Sequence, residues 1–312
     1  MSSIQSNLDK LVGPSPGGVL QLNPVHNALG DGGSEQLEKL AVRAVYLTEM
    51  ATKIIAQHVT KIYPTKQGVV TAISDFSLTA EEGEFLCIVG PSGCGKSTFL
   101  RILAGLIPQT SGEVKIFRNK NSSPDKPLNN IIFQEYAIFP WKTVLDNVAF
   151  GLEMRGVRKR ERYAVAQEWI RRVGLSRFAE SYPHQLSGGM KQRVSIARAF
   201  ANDPEVLLMD EPLGALDAQT RAVLQDELLR IWEQDRKTVV YITHSIEEAV
   251  LLGDRVVLMT AHPGTNKAVF EITLPRPRDL SLTSTPEYAR LTYAIWEQLR
   301  DEVRRAMEAE RQ

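Results

Sequence analysis

The fold is decided by one stretch of sequence, Glu84-Phe85-Leu86-Cys87-Ile88-Val89-Gly90-Pro91-Ser92-Gly93-Cys94-Gly95-Lys96-Ser97-Thr98. Its first part is an uninterrupted apolar run, which is typical of a buried parallel strand. Its second part is rich in glycine, and the residues that follow it place apolar side chains at helical spacing. The stretch therefore predicts a strand, a glycine-rich loop and a helix in immediate succession.

The glycine-rich loop has the residue types and the spacing of a phosphate-binding loop. Glycines let the backbone turn tightly, so that successive N–H groups converge on phosphate oxygens beside the positive end of the helix dipole. Lys96 would place a positive charge at the β- and γ-phosphates, and the Ser97 hydroxyl would bind Mg²⁺. The predicted nucleotide-binding residues of this loop are Gly90, Pro91, Ser92, Gly93, Cys94, Gly95, Lys96, Ser97 and Thr98.

Two carboxylates follow a second predicted strand, residues 206–209, far downstream. An acidic residue at the carboxyl end of a parallel strand faces the ligand crevice of the sheet. Asp210 could hold Mg²⁺ there, and Glu211 could polarise a water molecule that attacks the γ-phosphate. Two carboxylates in a polar turn are the alternative, which the phosphate-binding loop upstream disfavours.

A second glycine motif, Leu186-Ser187-Gly188-Gly189-Met190, precedes a predicted helix over residues 194–200. Backbone N–H groups at a helix N-terminus bind anions, so the chain carries two candidate phosphate-binding helix N-termini. One nucleotide cannot need both from the same subunit if they lie on different subdomains. We therefore expect two subunits, each of which presents its second site to the nucleotide of the other.

In this order, the motifs resemble those of an ATP-binding cassette (ABC) ATPase over about residues 54–262. The resemblance implies an α/β fold: a P-loop (RecA-like) core with a mostly parallel sheet, a small antiparallel β subdomain and an inserted α-helical subdomain. It implies ATP and Mg²⁺ as cofactors and ATP hydrolysis as the activity. It also implies that Ser187, Gly188 and Gly189 belong to the family's signature sequence and bind nucleotide.

The resemblance implies roles for four further residues. Gln134, after a predicted strand over residues 131–133, would bind Mg²⁺ and sense the partner, and His244 would contact the γ-phosphate. Asp217 would lie along the dimer interface. Tyr63 would stack on adenine, with simple packing in its strand as the alternative. The implied catalytic residues are Glu211, His244, Gln134 and Lys96, and the implied metal ligands are Ser97, Gln134 and Asp210.

Residues 136–148 contain three aromatic residues, Tyr136, Phe139 and Trp141. In ABC transporters this region docks a short cytoplasmic helix of the permease, so we expect exposed aromatics; packing within the helical subdomain is the alternative for some of them. Residues 139–141, 211–217 and 272–278 resemble importers of nitrate, sulfonate and taurine. The implied function is ATP-driven uptake of a small solute, such as one of these anions. The alternative is an ABC ATPase that acts in lipid transport or as a division or regulatory scaffold.

Composition limits the partners and the location. The chain has 37 basic and 37 acidic residues, a net charge of zero, so no global basic field exists to hold nucleic acid. No apolar run approaches the length that spans a bilayer, and no secretory signal is expected. The resemblance implies a second copy of the chain or a paralogous ATPase subunit, two membrane permease subunits and, indirectly, a solute-binding protein. We therefore expect a peripheral subunit at the cytoplasmic face of the inner membrane.

Three segments are expected along the chain. Residues 1–53 are expected to form a largely flexible extension, because residues 13–33 contain nine glycines and prolines, with a short helix from Ser34. Residues 54–265 would form the ATPase domain, with the helical subdomain at about residues 135–200. Residues 266–312 would add a strand and an accessory helix from about Pro286. The apolar face of that helix would comprise Tyr288, Leu291, Ile295, Trp296, Leu299 and Val303.

Overall fold

The computed structural model describes residues 52–66 and 68–309, which form nine strands and seven α-helices. The expectations for residues 1–51, including the short helix from Ser34, lie outside the described residues. The strands are β1 (Thr52–Thr65), β2 (Gly68–Glu81), β3 (Phe85–Val89), β4 (Ser111–Ile116), β5 (Asn129–Ile132), β6 (Val206–Asp210), β7 (Thr238–Thr243), β8 (Arg255–Met259) and β9 (Asn266–Glu271). The helices are α1 (Lys96–Leu103), α2 (Val144–Met154), α3 (Lys159–Arg172), α4 (Gly188–Ala201), α5 (Ala218–Asp235), α6 (Ile246–Leu252) and α7 (Pro286–Ala309). Short 3₁₀ turns lie at Ser176–Phe178, Pro183–Gln185 and Leu280–Ser284.

The central sheet of the described residues has six strands in the order β5-β6-β7-β3-β8-β9. All neighbours are parallel except β8 and β9. Every residue of β3, β6 and β7 is buried, because helices cover both faces of a parallel sheet. The predicted α/β fold is confirmed. The carboxyl ends of β6, β7 and β3 are neighbours, so the residues that follow these strands emerge at one edge of the sheet.

The strands β2, β1 and β4 form a second, antiparallel sheet that is separate from the central sheet. Its apolar residues share a core with α1 and with one face of the central sheet. Within that core the rings of Phe76 in β2 and Phe99 in α1 meet edge to face, with centroids 4.7 Å apart. The helix that begins at the phosphate-binding loop is therefore fixed between the two sheets.

Helices α2, α3 and α4 lie between β5 and β6 in the sequence and pack against one another. Val148, Ala166 and Phe200 are buried in their common core, and the rings of Trp169 and Phe200 lie 5.2 Å apart. These helices occupy the segment in which a helical subdomain is expected. None of the helices within residues 52–66 and 68–309 is both long and apolar enough to cross a membrane.

The C-terminal strand belongs to the central sheet, because β9 pairs antiparallel with β8. A boundary at residue 265 therefore separates two strands of one sheet. Helix α7 buries Tyr288, Ile295 and Leu299 against the core, as its spacing predicts. Trp296 was expected on the same face but is exposed. Its position lies one residue round the helix from Ile295, which takes the buried position.

Candidate functional site

The predicted phosphate-binding loop connects β3 to α1, and its backbone is packed closely against β2. Gly95 precedes α1 with φ = 103°, a left-handed conformation that favours glycine. A Cβ atom at this position would lie 2.7 Å from the carbonyl oxygen of Ala72 in β2. Both the backbone conformation and the space therefore require glycine here.

Lys96 is the first residue of α1, and its side chain folds back over the loop. The residue is only 5% exposed. Its ammonium donates hydrogen bonds to the carbonyl oxygens of Gly90 and Pro91, each at 2.8 Å. The loop thus carries a buried positive charge beside the N-terminus of a helix, an arrangement that attracts anions.

The Ser97 hydroxyl donates a 2.7 Å hydrogen bond to Oδ1 of Asp210, at the end of β6. Burial raises the pKa of the Asp210 carboxyl, the Ser97 hydrogen bond opposes this, and the neighbouring Glu211 charge adds to it. A hydroxyl and a carboxylate are the hard oxygen ligands that suit Mg²⁺. Gln134 is exposed just after β5, and among the described residues no hydrogen bond joins it to this pair.

Glu211 and His244 follow the neighbouring strands β6 and β7 and meet at the edge of the sheet. The Nδ1 atom of His244 lies 2.9 Å from Oε2 of Glu211. Glu211 has φ = 43°, which is strained for a residue other than glycine. Its N–H donates to the carbonyl oxygen of Ile242 at 3.0 Å, which holds this conformation against β7. Strain of this kind persists where the surroundings over-determine the backbone, and such places cluster at functional sites.

The glycine motif before α4 packs against the first turn of α5. Ser187 caps α4 by accepting the Met190 N–H, and Asp217 caps α5 by accepting the Thr220 N–H. A Cβ atom at Gly189 would lie 2.7 Å from the Thr220 methyl group. Ser187 and Asp217 are both exposed. The structure therefore brings two exposed helix caps together on one surface.

Tyr63 lies in β1 opposite Val70 of β2. Its ring packs partly against the core that α1 shares with the small sheet. The Lys61 ammonium lies 4.9 Å from the ring centroid. Packing and a cation–π contact therefore account for part of the ring surface.

Comparison with known proteins places these features in a family. The ABC transporter family model matches residues 73–214. The aliphatic sulfonates import ATP-binding protein SsuB of Bacillus cereus is 44% identical over 73% of this chain and 90% of its own. The bicarbonate transport protein CmpD and the nitrate import protein NrtD, both ATP-binding proteins of Synechocystis, are 45% and 42% identical over 77% of this chain and 86% and 92% of their own. The chain belongs to the ABC transporter ATP-binding proteins.

The ABC fold is also shared with a solved structure. A dimeric ATP-binding cassette, MJ0796, bound to ADP and Pi in a post-hydrolysis state, matches with a TM-score of 0.63 and 35% identity. The match covers 71% of this ABC subunit and 100% of that chain. The family and the enzyme class predicted from the sequence are confirmed: this is an ATP-hydrolysing ABC subunit.

The aromatic segment after Gln134 differs from expectation in one respect. Trp141 is 71% exposed, but Tyr136 and Phe139 are half-buried. The Phe139 ring packs against Phe150 of α2, with centroids 4.5 Å apart. The expectation of three exposed aromatics is therefore correct only for Trp141, because Phe139 is needed to attach the segment to α2.

Sequence reasoning missed Asn147, a fully buried residue of α2 that fixes this segment. Its Oδ1 accepts the Phe139 N–H at 2.7 Å. Its Nδ2 donates to the carbonyl oxygens of Phe139, Lys142 and Thr143 at 2.9–3.1 Å. A polar residue on the apolar face of α2 was the signal that could have revealed it, although not its partners.

Sequence reasoning also missed a set of hydrogen bonds that links the start of α5 to Thr243, the residue before His244. The Arg221 guanidinium in α5 donates to the carbonyl oxygens of Leu213 and Leu216. One turn further along α5, Gln225 donates to the buried Glu248 carboxylate at 3.1 Å. Glu248 also accepts the Thr243 hydroxyl at 2.5 Å. The segment before Asp217 and the end of β7 are thus connected through the side chains of one helix.

Proposed function

We propose that the chain is the ATPase subunit of an importer for a small anion and drives separate permease subunits. The observation that carries this proposal is the exposed Trp141 on a segment that Asn147 holds rigidly. A large aromatic side chain presented on a fixed backbone suits the anchor of a protein interface. The named substrates of three relatives, sulfonates, bicarbonate and nitrate, support an anion as the solute.

Each residue at the edge of the sheet has a separate role in ATP binding or hydrolysis. The loop N–H groups and Lys96 bind the β- and γ-phosphates, and Ser97 and Asp210 hold Mg²⁺. The ion supplies charge neutralisation of the phosphates. Glu211 orients the attacking water, and His244, whose Nδ1 atom lies 2.9 Å from Oε2 of Glu211, contacts the γ-phosphate. Gln134 would be a further ligand of the metal, and Tyr63 would stack on adenine.

Two copies complete each nucleotide site. The exposed caps Ser187 and Asp217 lie on one surface, and the N–H groups of Gly188 and Gly189 begin α4, where a helix N-terminus binds phosphate. The matching ABC cassette is a dimer, which supports the same arrangement for this chain. ATP then favours the closed dimer because it binds both copies there and only one copy in the open state.

The subunit acts at the cytoplasmic face of the inner membrane, bound to two permease subunits. A solute-binding protein delivers the anion to those subunits from the other side. Residues 134–141 transmit the closing and opening motion of the ATPase dimer to the permease, since this segment connects β5 to Trp141.

Mixing two inactive variants tests the shared site. Lys96→Ala removes the phosphate charge, and Ser187→Arg blocks the second motif. A heterodimer of the two has one doubly disabled site and one site with both residues intact. We expect ATPase activity to reappear on mixing, with each variant alone as the control. Absence of activity, together with absence of ATP-dependent crosslinking between the two variants, would refute the shared site.

A photo-crosslinking residue in place of Trp141 tests the importer proposal in the native host. We expect a crosslink to a multi-spanning membrane protein, and loss of uptake of labelled nitrate, sulfonate or bicarbonate when that protein is deleted. The same crosslinker in place of Tyr293, which is exposed on α7, is the control for non-specific capture. A membrane partner at both positions, or unchanged uptake of all three anions, would contradict the proposal.

A further inference from the structure

Helix α7 carries a buried carboxylate that the ATPase site does not account for. Glu302 is 1% exposed on a helix face that is otherwise apolar. A buried charge is costly unless it is paired and hydrogen-bonded. Glu302 has three partners: the Ala261 N–H at 3.0 Å, the Lys267 ammonium at 2.9 Å and the Arg305 guanidinium at 3.0 Å. Burial raises the pKa of the Glu302 carboxyl. The hydrogen bond from the Ala261 N–H and the Lys267 charge lower the pKa by more, so the net shift is downward.

The partner that matters for the site is the Ala261 N–H, which lies in the turn between β8 and β9. Residues 260–265 form a closed unit. Thr260 donates its N–H to the carbonyl oxygen of Thr265 and accepts the Thr265 N–H with its hydroxyl, both at 3.0 Å. The Thr260 hydroxyl also donates to the carbonyl oxygen of Pro263 at 3.1 Å. Anchoring Ala261 therefore anchors the whole turn.

This turn lies directly against the phosphate-binding loop. A Cβ atom at Gly264 would lie 2.0 Å from the carbonyl oxygen of Cys94, so the two backbones are in closest contact there. Gly264 also donates its N–H to the carbonyl oxygen of Ala72 at 3.1 Å. At the other end of the loop, a Cβ atom at Gly90 would lie 2.9 Å from the carbonyl oxygen of Met259. The end of β8 and the turn thus form one wall of the loop.

We propose that Glu302 is a positioning residue for the phosphate-binding loop. By holding Ala261, it keeps the 260–265 turn pressed against Cys94 and the loop N–H groups at the spacing that phosphate requires. Helix α7 lies outside the segment that the ABC family model matches; through the contact with Ala261 it tunes the affinity of this subunit for ATP. The proposal rests on ATP binding alone and is independent of the solute and the permease.

Two substitutions of Glu302 in the full-length chain separate positioning from general stability. Glu302→Leu keeps the volume and removes the acceptor, so we expect the KM and Kd for ATP·Mg²⁺ to rise about 10-fold, which corresponds to the loss of about one net hydrogen bond to the phosphates. The kcat at saturating ATP should stay within about 2-fold, since Glu211 and His244 are untouched. Glu302→Gln keeps an oxygen for the Ala261 N–H and should restore the KM to near the wild-type value.

The matched control is Leu299→Ala, which removes a buried side chain one turn earlier on α7. We expect it to lower the melting temperature and leave the KM for ATP unchanged. An equal rise in KM for Leu299→Ala and Glu302→Leu, or a wild-type KM for folded Glu302→Leu, would overturn the proposal.

A measurement on the wild-type chain covers the case in which Glu302→Leu does not fold. Because coupling between two sites is reciprocal, ATP must stabilise the contact that Glu302 makes. Amide hydrogen exchange at Ala261 should therefore slow about 10-fold on addition of ATP·Mg²⁺. Unchanged exchange at Ala261, with slowed exchange at Lys96 as proof of ATP binding, would reject the positioning role.

Discussion

The substitution Asn147→Ala tests whether one buried amide holds the Trp141 segment in place. The change removes one hydrogen bond accepted from the Phe139 N–H and three donated to backbone carbonyl oxygens. Leaving a buried donor unsatisfied costs about 1–3 kcal/mol, and the carbonyl oxygens near the surface can turn to water. We therefore expect a loss of about 2–3 kcal/mol, most of it local to residues 139–143.

The readout is hydrogen exchange at the Phe139 amide, which Asn147 protects directly. A local loss of about 2–3 kcal/mol predicts exchange about 30- to 160-fold faster, at 1.36 kcal/mol per tenfold change. Crosslinking from position 141 to the permease should fall in parallel, and ATP binding to the isolated subunit should not change. The matched control is Leu152→Ala, a buried apolar truncation on the same helix, which should lower stability by about 2–5 kcal/mol without releasing the segment. Phe139 exchange at the wild-type rate in Asn147→Ala, or equal acceleration in both variants, would refute the reasoning.

Four further outcomes are expected. Trp141→Ala should change the melting temperature little, because the side chain is mostly exposed, but should weaken permease binding by about 2 kcal/mol, measured by co-purification. Glu211→Gln should slow hydrolysis about 10²–10⁴-fold and leave an ATP-bound dimer on size-exclusion chromatography; a monomer under these conditions would argue against the role of Glu211. Glu248→Leu should reduce kcat about 10-fold with an unchanged Kd for ATP, because the hydroxyl of Thr243, the residue before His244, loses its acceptor; Glu247→Leu, on the exposed side of α6, is the control. Asp210→Asn should abolish Mg²⁺-dependent hydrolysis yet raise the melting temperature of the nucleotide-free subunit at pH 7. The raised pKa of Asp210 means that folding disfavours its ionised form, so this gain should vanish below about pH 4, where the carboxyl is protonated in both states.

Local sequence patterns were sufficient to predict most of the fold and most residues of the candidate site. The apolar run before Gly90, the glycine spacing up to Ser97 and the carboxylates after β6 each predict an element and its chemistry from adjacent residues. Their convergence also followed from the sequence, because carboxyl ends of parallel strands share one edge of a sheet. The family and the ATPase activity implied by these motifs are confirmed by the relatives and the solved cassette.

Exposure within an amphipathic or aromatic segment was less accessible to sequence reasoning. Trp141 and Phe139 are two residues apart and chemically alike, yet one is exposed and the other packs on Phe150. Trp296 likewise falls beside the buried face of α7 rather than on it. Periodicity gives the direction of a side chain to within one neighbouring position, and the shape of the opposing surface decides the rest.

The sequence by itself predicted which residues would bind phosphate and Mg²⁺, because that chemistry depends on residue types at short spacing along one strand, loop or helix. Only the tertiary structure decided which polar side chains support them. Asn147, Glu248 and Glu302 are ordinary helix residues in the sequence, but each is buried and hydrogen-bonds a group outside its own helix. Ala261 and Glu302 are 41 residues apart, and no local pattern encodes such a pair. The physical reason is that a buried polar group must find its partner in space, wherever the chain places it.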